Sequence, residues 1–201
     1  MTLPDNTVYK EYYGSGWQSG LTTITKSYAT VTDANADSDQ SSTCSAYSPS
    51  WKKKTIAGYT QDNTGISYQT NPRVIETNIC DASGNRRRTT IDYNSVAVGT
   101  TAYHLPETVR EYAADGATIL RRSVTLYGWD SSLTSRHVIG LVTRQQVYEG
   151  ESTLVSMEDY IYDWVAGYMD GTAPAVHHDT ANYGPVSAPV AAFWWLSFAT
   201  T

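Results

Sequence analysis

Residues 72–96, PRVIETNICDASGNRRRTTIDYNSV, decide the fold. Two runs rich in Val, Ile, Thr and Arg flank the small polar stretch DASGN (81–85). β-Branched residues favour the pleated, half-buried surface of a sheet. Gly84 can take the positive φ that a tight turn between two strands requires. The reading is strand, glycine turn, strand. Working outward, the same arrangement recurs in LPETVREYAADGATILRRSVTLYGW (105–129), with the turn ADGAT (114–118). It recurs again in VIGLVTRQQVYEGESTLVSMEDYIYDW (138–164), with the turn EGES (149–152). The arms alternate with period 2, so that Val109, Glu111 and Ala113 face one way and Arg110 and Tyr112 the other.

The spacing indicates a repeat. The turn glycines Gly84, Gly116 and Gly150 lie 32 and 34 residues apart. The closing tyrosines Tyr93, Tyr127 and Tyr162 lie 34 and 35 apart, and the opening prolines Pro72 and Pro106 lie 34 apart. Three features advancing together at one period point to an internal repeat, although the third unit has no matching proline. A single hairpin cannot bury its apolar face, whereas stacked hairpins can. The expected fold is all-β: stacked antiparallel β-hairpin repeats in an extended or curved sheet with open strand edges at its ends.

Composition agrees. The chain has 201 residues with 16 Tyr but only 2 Phe, and by our count 27 Thr and 20 Ser, which favours strands with partly wet faces. The formal charge of −6 gives no electrostatic footprint for nucleic acid. Residues 1–50 read as a poorly ordered N-terminal segment. It carries one possible strand, LTTITKSYATV (21–31), followed by the acidic, small-residue run VTDANADSDQSSTCSAYSPS (31–50). The opening residues have no basic and then apolar pattern, so no signal peptide is expected in this chain. The densest apolar stretch, VSAPVAAFWWLSFA (186–199), is shorter than the roughly 20 residues of a transmembrane helix. Cys44 and Cys80 can make at most one disulfide, and spacing does not decide whether they do.

The segments GYTQDNTGISYQTNPRVIETNICDASGNRRRTTIDY (58–93), LPETVREYAADGATILRRSVTLY (105–127), SRHVIGLVTRQQVYEG (135–150) and AVHHDTANYG (175–184) resemble bacterial RHS/YD-repeat proteins, which are related to the teneurins of animals. The Tyr-Asp pair of that family stands at Tyr162-Asp163, with reversed pairs at Asp92-Tyr93 and Asp159-Tyr160. The resemblance spans residues 51–184. It implies hairpins wound into a large β-shell that encloses a toxic C-terminal domain in a secreted or cell-surface protein. It assigns no catalytic residue to the repeats. The tail, residues 185–201, departs from the pattern. It reads either as a frameshifted or truncated continuation or as a terminal plug that packs into the shell.

Other clusters carry less. His177-His178-Asp179 is the densest ligand-like group, but adjacent strand residues point to opposite faces. His104 and His137 stand singly. Arg86-Arg87-Arg88 and Lys52-Lys53-Lys54 alternate across two faces, with Glu76, Asp81 and Asp92 nearby, so cross-strand ion pairs are expected. Cys80 has no histidine near it in sequence, and DNTG (62–65) breaks the Asp-Thr-Gly triplet with an inserted Asn. No catalytic, cofactor-binding or metal-binding residue is assigned, and no cofactor is expected. A small enzyme would need a concave site with perturbed carboxylates or histidines. The functional expectation is a non-catalytic structural fragment that scaffolds or encapsulates an effector domain. Its partners would be other repeats of the same or a longer shell, and the effector. The alternative is a carbohydrate-binding β module at the cell surface, with Tyr and Trp rings as the glycan face.

Overall fold

The structure is a computed structural model and describes residues 7–44, 51–129, 134 and 138–160. Among these, the strands are β1 (Val8–Tyr13), β2 (Thr22–Tyr28), β3 (Lys53–Thr60), β4 (Arg73–Asp81), β5 (Arg86–Tyr93), β6 (Val96–Val98), β7 (Thr101–Tyr103), β8 (Pro106–Tyr112), β9 (Ile119–Tyr127), β10 (Val142–Glu149) and β11 (Thr153–Asp159). One short helix, α1 (Val31–Ala36), lies between β2 and β3. Nine strands form one sheet in the order β1-β2-β3-β4-β5-β8-β9-β10-β11, while β6 and β7 pair with each other. The all-β expectation holds, and apart from the β6–β7 insertion the order in space is the order in sequence.

The described chain falls into two compact units. One holds the residues up to Asp92 together with Val109–Arg122; the other holds Tyr93–Thr108 and the residues from Ser123 on.

The three turns fall where the glycines put them. Gly84, Gly116 and Gly150 have φ of 85°, 69° and 62°, in the left-handed region. The Gly84 N–H donates to the Asp81 carbonyl at 3.0 Å and the Gly116 N–H to the Ala113 carbonyl at 2.8 Å. The aspartates differ. Asp81 opens its turn and accepts from the N–H groups of Ser83 and Asn85, both at 2.9 Å. Asp115 precedes its glycine and accepts from the N–H groups of Ala117 and Thr118 at 2.8 and 2.9 Å. The Thr118 hydroxyl, with these N–H groups, holds the Asp115 carboxyl down at about 2.

The first unit joins two hairpins through arginine. Arg86 donates to the Asp115 carbonyl at 2.9 Å and Arg88 to the Gly116 carbonyl at 3.0 Å. Arg88 also pairs with Glu76 at 2.9 Å and lies 4.6 Å from the Tyr112 ring centroid. Glu111 pairs with Arg87, whereas Arg110 pairs with Asp92 and Tyr112 contacts Thr90. Odd and even residues of β8 therefore meet odd and even residues of β5, as the alternation requires. Of the acidic partners expected for the basic triples, Glu76 forms a cross-strand pair with Arg88, whereas Asp92 pairs with Arg110 and Asp81 is taken up by its own turn.

The second unit contains the β6–β7 hairpin. Its register is Val96↔Tyr103, Ala97↔Ala102 and Val98↔Thr101, with Gly99 at its tip. The Asn94 N–H donates to the Leu105 carbonyl at 3.0 Å, and the Leu105 N–H to the Asn94 side-chain oxygen at 3.2 Å, closing the neck.

The N-terminal segment is where the fold departs from expectation. Residues 7–44 hold two strands and a capped helix, where one possible strand in a poorly ordered segment was expected. The buried core is Val8, Ile24, Tyr28, Ala34, Trp51, Ile56 and Cys80, so most of it belongs to this region and the start of β3. Burying Ile24 and Ile56 contributes about 2 kcal/mol each. The region is polar in composition, yet its few apolar residues alternate onto a single face.

Gly116 has a second reason to be glycine. A Cβ there would lie 1.3 Å from Arg86 Nη2, so the guanidinium that holds the turn would have to move. At Gly99, also at positive φ, a Cβ would meet nothing within 4 Å among the described residues. Gly116→Ala should therefore cost about 2–3 kcal/mol, and Gly99→Ala only the backbone strain of about 1–2 kcal/mol. Denaturant titration of both variants measures the difference. Equal costs would show that the arginine clamp contributes nothing.

Candidate functional site: a lysine row beneath an acidic strap

The densest chemistry lies in the first unit. Cα pairing puts Lys10 opposite Lys26, Lys26 opposite Lys54, Lys54 opposite Cys80 and Cys80 opposite Arg86. Four cations and one cysteine thus form a single row across five strands. Neighbouring strands are about 4.8 Å apart, so three adjacent ammonium groups would repel one another unless anions reached them.

The anions come from the segment after α1. Thr30 caps that helix, its hydroxyl accepting from the Asp33 N–H at 3.0 Å. The chain then crosses the row as a strap, residues 37–44. Lys10 donates to the carbonyls of Ala34 and Asp37 at 2.8 and 2.6 Å. Lys26 pairs with Asp37 at 2.8 Å and with Asp39 at 3.1 Å. Lys54 pairs with Asp39 at 3.2 Å and donates to the Ser41 hydroxyl and the Thr43 carbonyl at 3.3 and 2.9 Å. The side chains of Lys26, Lys54 and Asp37 have no exposed surface. The Tyr28 hydroxyl donates to the Asp37 carboxylate as well. Aromatic rings enclose the ammonium groups: Lys26 Nζ is 5.6 Å from the Tyr12 ring centroid and Lys54 Nζ is 6.0 Å from that of Trp51.

The strap ends in a covalent bond. Cys44 is disulfide-bonded to Cys80, the fourth member of the row, with Cα atoms 5.4 Å apart. This settles the pairing that spacing alone left open and removes Cys80 as a free thiol. Cross-linking residues 36 apart in sequence stabilises by about 4 kcal/mol through loop-closure entropy. Buried ion pairs contribute far less net, because desolvation offsets most of their attraction. The disulfide is therefore the larger stabilising contribution to the strap, and the lysine–aspartate pairs fix its register.

Titration follows from these contacts. Burial alone would raise the Asp37 carboxyl, but hydrogen bonds from Lys26, Tyr28 and the Asp39 N–H outweigh it and leave the group below its ordinary value. Asp39 behaves alike: burial raises it, and Ser41, Lys26 and Lys54 bring it well below the carboxylate range. Burial pushes the Tyr28 phenol far up, with Asp37 adding to the effect. Burial lowers Lys54 against the opposing pull of Asp39. Two carboxylates held ionised against two enclosed ammonium groups suit the fixing of a chain segment. Proton transfer in catalysis calls instead for a group poised near neutrality.

The positions singled out in the sequence sit elsewhere. Tyr93 closes β5 and Tyr127 closes β9, both half-buried, and the Tyr127 hydroxyl donates to the Pro106 carbonyl at 2.7 Å. Pro72 immediately precedes β4, and Pro106 opens β8. Tyr162, His137, His177, His178 and the tail 185–201 lie outside the described residues. His104 Nδ1 lies 3.0 Å from the Asn94 carbonyl. Asp62 pairs with Arg73, and the Asn63 side chain accepts from the Gly65 N–H at 3.0 Å, so DNTG forms a local turn contact. Among the described residues, no group of three or more His, Cys, Asp or Glu side chains is placed to hold a metal ion. No helix among them is long and apolar enough to cross a membrane. The lysine row itself went unread in the sequence. The available signal was Thr30-x-x-Asp33, a capping pattern that marks a helix inside the supposed linker.

Comparison with known proteins returns no match: no family model, no curated protein and no solved structure is similar to this chain.

Two outcomes test the site. Asp37→Asn and Lys26→Met should each cost about 3 kcal/mol, because each leaves a buried charge short of a partner. The double variant should cost less than their sum by at least about 1 kcal/mol. A double-mutant cycle in denaturant reads this, and strict additivity would mean that the pair is not coupled. The pH dependence has a definite sign. Asp37 and Asp39 have folded-state values below their unfolded ones, so their contribution is present above about pH 4 and lost as pH falls through the folded values. The unfolding midpoint should be flat from about pH 7 to 5 and drop below about 4. The drop should be smaller in a variant carrying both Asp37→Asn and Asp39→Asn.

Proposed function

We propose that this chain is a non-catalytic β-sheet module of an RHS-type repeat shell, which scaffolds or encloses an effector domain of a larger secreted or cell-surface protein. The observation that carries the reading is the series of hairpins, with left-handed turn glycines at Gly84, Gly116 and Gly150, laid side by side in chain order. A sheet ordered in this way extends by adding strands at its ends, where β1 and β11 stand. Its natural partners are further repeats of the same kind. The arginine clamp from Arg86 and Arg88 onto the Asp115–Gly116 turn supplies a hairpin-to-hairpin contact beyond the ladder itself.

Strand edges also supply the test. A module drawn from a longer sheet should associate through its edges when it is alone in solution. Sedimentation velocity over a range of protein concentrations should show concentration-dependent oligomers. A strictly monomeric species that unfolds cooperatively would overturn the reading.

A second reading, a carbohydrate-binding module, is favoured by one aromatic group in the second unit. Trp129 lies 6.4 Å from the Tyr103 ring centroid and 6.5 Å from that of Tyr127, and all three rings are half-buried. Aromatic rings of this kind stack on sugars. Binding on a glycan array that is lost in Trp129→Ala would support this reading over the first.

A further inference from the structure

We infer that residues 37–44 are a redox-latched strap: while Cys44–Cys80 is intact the strap masks the row of ammonium groups, and reduction of that bond uncovers Lys26 and Lys54. The inference stands on the first unit alone and does not depend on the functional reading above.

Three observations carry it. First, the covalent bond is made to the row itself, since Cys80 is the register neighbour of Lys54. A latch at that point holds the strap directly over the cations. Second, the strap is thin. Ser41, Ser42 and Thr43 are exposed on its outer side, while Lys26 and Lys54 beneath it have no exposed surface. This one segment carries the anions and the carbonyl that meet both amines, Asp37 and Asp39 at Lys26, and Asp39 and Thr43 at Lys54. Third, the non-covalent contacts are of a kind that water replaces at little net cost. An ammonium group released from a buried pair regains its hydration, and so does the carboxylate. At the helix end the strap is held through Lys10 on the Ala34 and Asp37 carbonyls and Lys26 on Asp37, and beyond that through Asp39, Thr43 and the disulfide.

The chemistry balances with a dithiol as reductant. Its thiolate attacks the sulfur of Cys44, a half-buried residue, the Cys80 thiolate leaves and takes a proton, and the second thiol resolves the mixed disulfide. Two electrons and two protons pass to the protein, and the reductant leaves as a cyclic disulfide. The two cysteines then carry thiols, and the backbone is the strap's only remaining covalent tether.

The test is acetylation of amines in the intact chain, read at each lysine by peptide mass spectrometry, with and without prior reduction by dithiothreitol. In the oxidised protein Lys52 and Lys53, which are exposed, should react quickly, and Lys26 and Lys54 should be protected. After reduction, labelling of Lys26 and Lys54 should rise at least tenfold while Lys52 and Lys53 stay unchanged. Amide hydrogen exchange of Ile24 and Ile56, run in parallel, should keep its protection, which separates strap release from unfolding. A Cys44→Ser variant should label like the reduced protein without any reductant. Unchanged protection of Lys26 and Lys54 after complete reduction would overturn the inference, and so would labelling that appears only together with loss of exchange protection at Ile24 and Ile56.

Discussion

Like charges in register are the constraint around which the N-terminal half is organised. A sheet that aligns Lys10, Lys26 and Lys54 in one row has placed three ammonium groups at the spacing of its own ladder. Such a row is stable only if anions come to it from outside the sheet, because the strands themselves supply none at those positions. The chain meets the need with a turn of helix and an acidic strap, so the core forms where a purely hairpin-based protein would have only a wet face. The aromatic rings of Tyr12 and Trp51 then serve both the apolar core and the cations above it. Charge here determines which segment covers the sheet, and apolar burial follows from that cover.

The hairpin region solves a different problem with different residues. Its strands bury little, and its large apolar side chains include several that are exposed, such as Leu120 and Val155. Order comes instead from turn geometry and from side chains that reach one hairpin on. Arg86 and Arg88 do this by holding the main-chain carbonyls of Asp115 and Gly116, which are present whatever side chains the turn carries. Arg88 adds the Tyr112 ring and the Glu76 carboxylate to the same side chain.

How much of this was legible in the sequence divides along the same line. The hairpins were readable because period-2 alternation and a glycine needing positive φ are local signals, complete within about 25 residues. The all-β class, the turn glycines and the Arg88–Glu76 pair followed from them. The lysine row was not readable, because it depends on the register of three strands, and register is a property of pairing that no single strand carries. Asp37 and Asp39 looked like part of an acidic linker, since their partners lie on β2 and β3. The Cys44–Cys80 bond was equally opaque: two cysteines allow one bond, and only the strap's path brings them together. Thr30-x-x-Asp33 is the exception, a local mark of the helix that composition alone obscured.

The β6–β7 hairpin has a consequence for how this sheet accommodates extra chain. It leaves the main ladder after β5 and returns before β8, and its neck is sealed by the paired bonds of Asn94 and Leu105. Because β5 and β8 remain neighbours regardless of what lies beyond that neck, the excursion is topologically silent. Its tip, Gly99–Thr101, is solvent-facing and shares no ladder with the nine strands. It is thus a natural graft point, where a peptide epitope or a small folded insert would ride on the protein without disturbing the order of its strands.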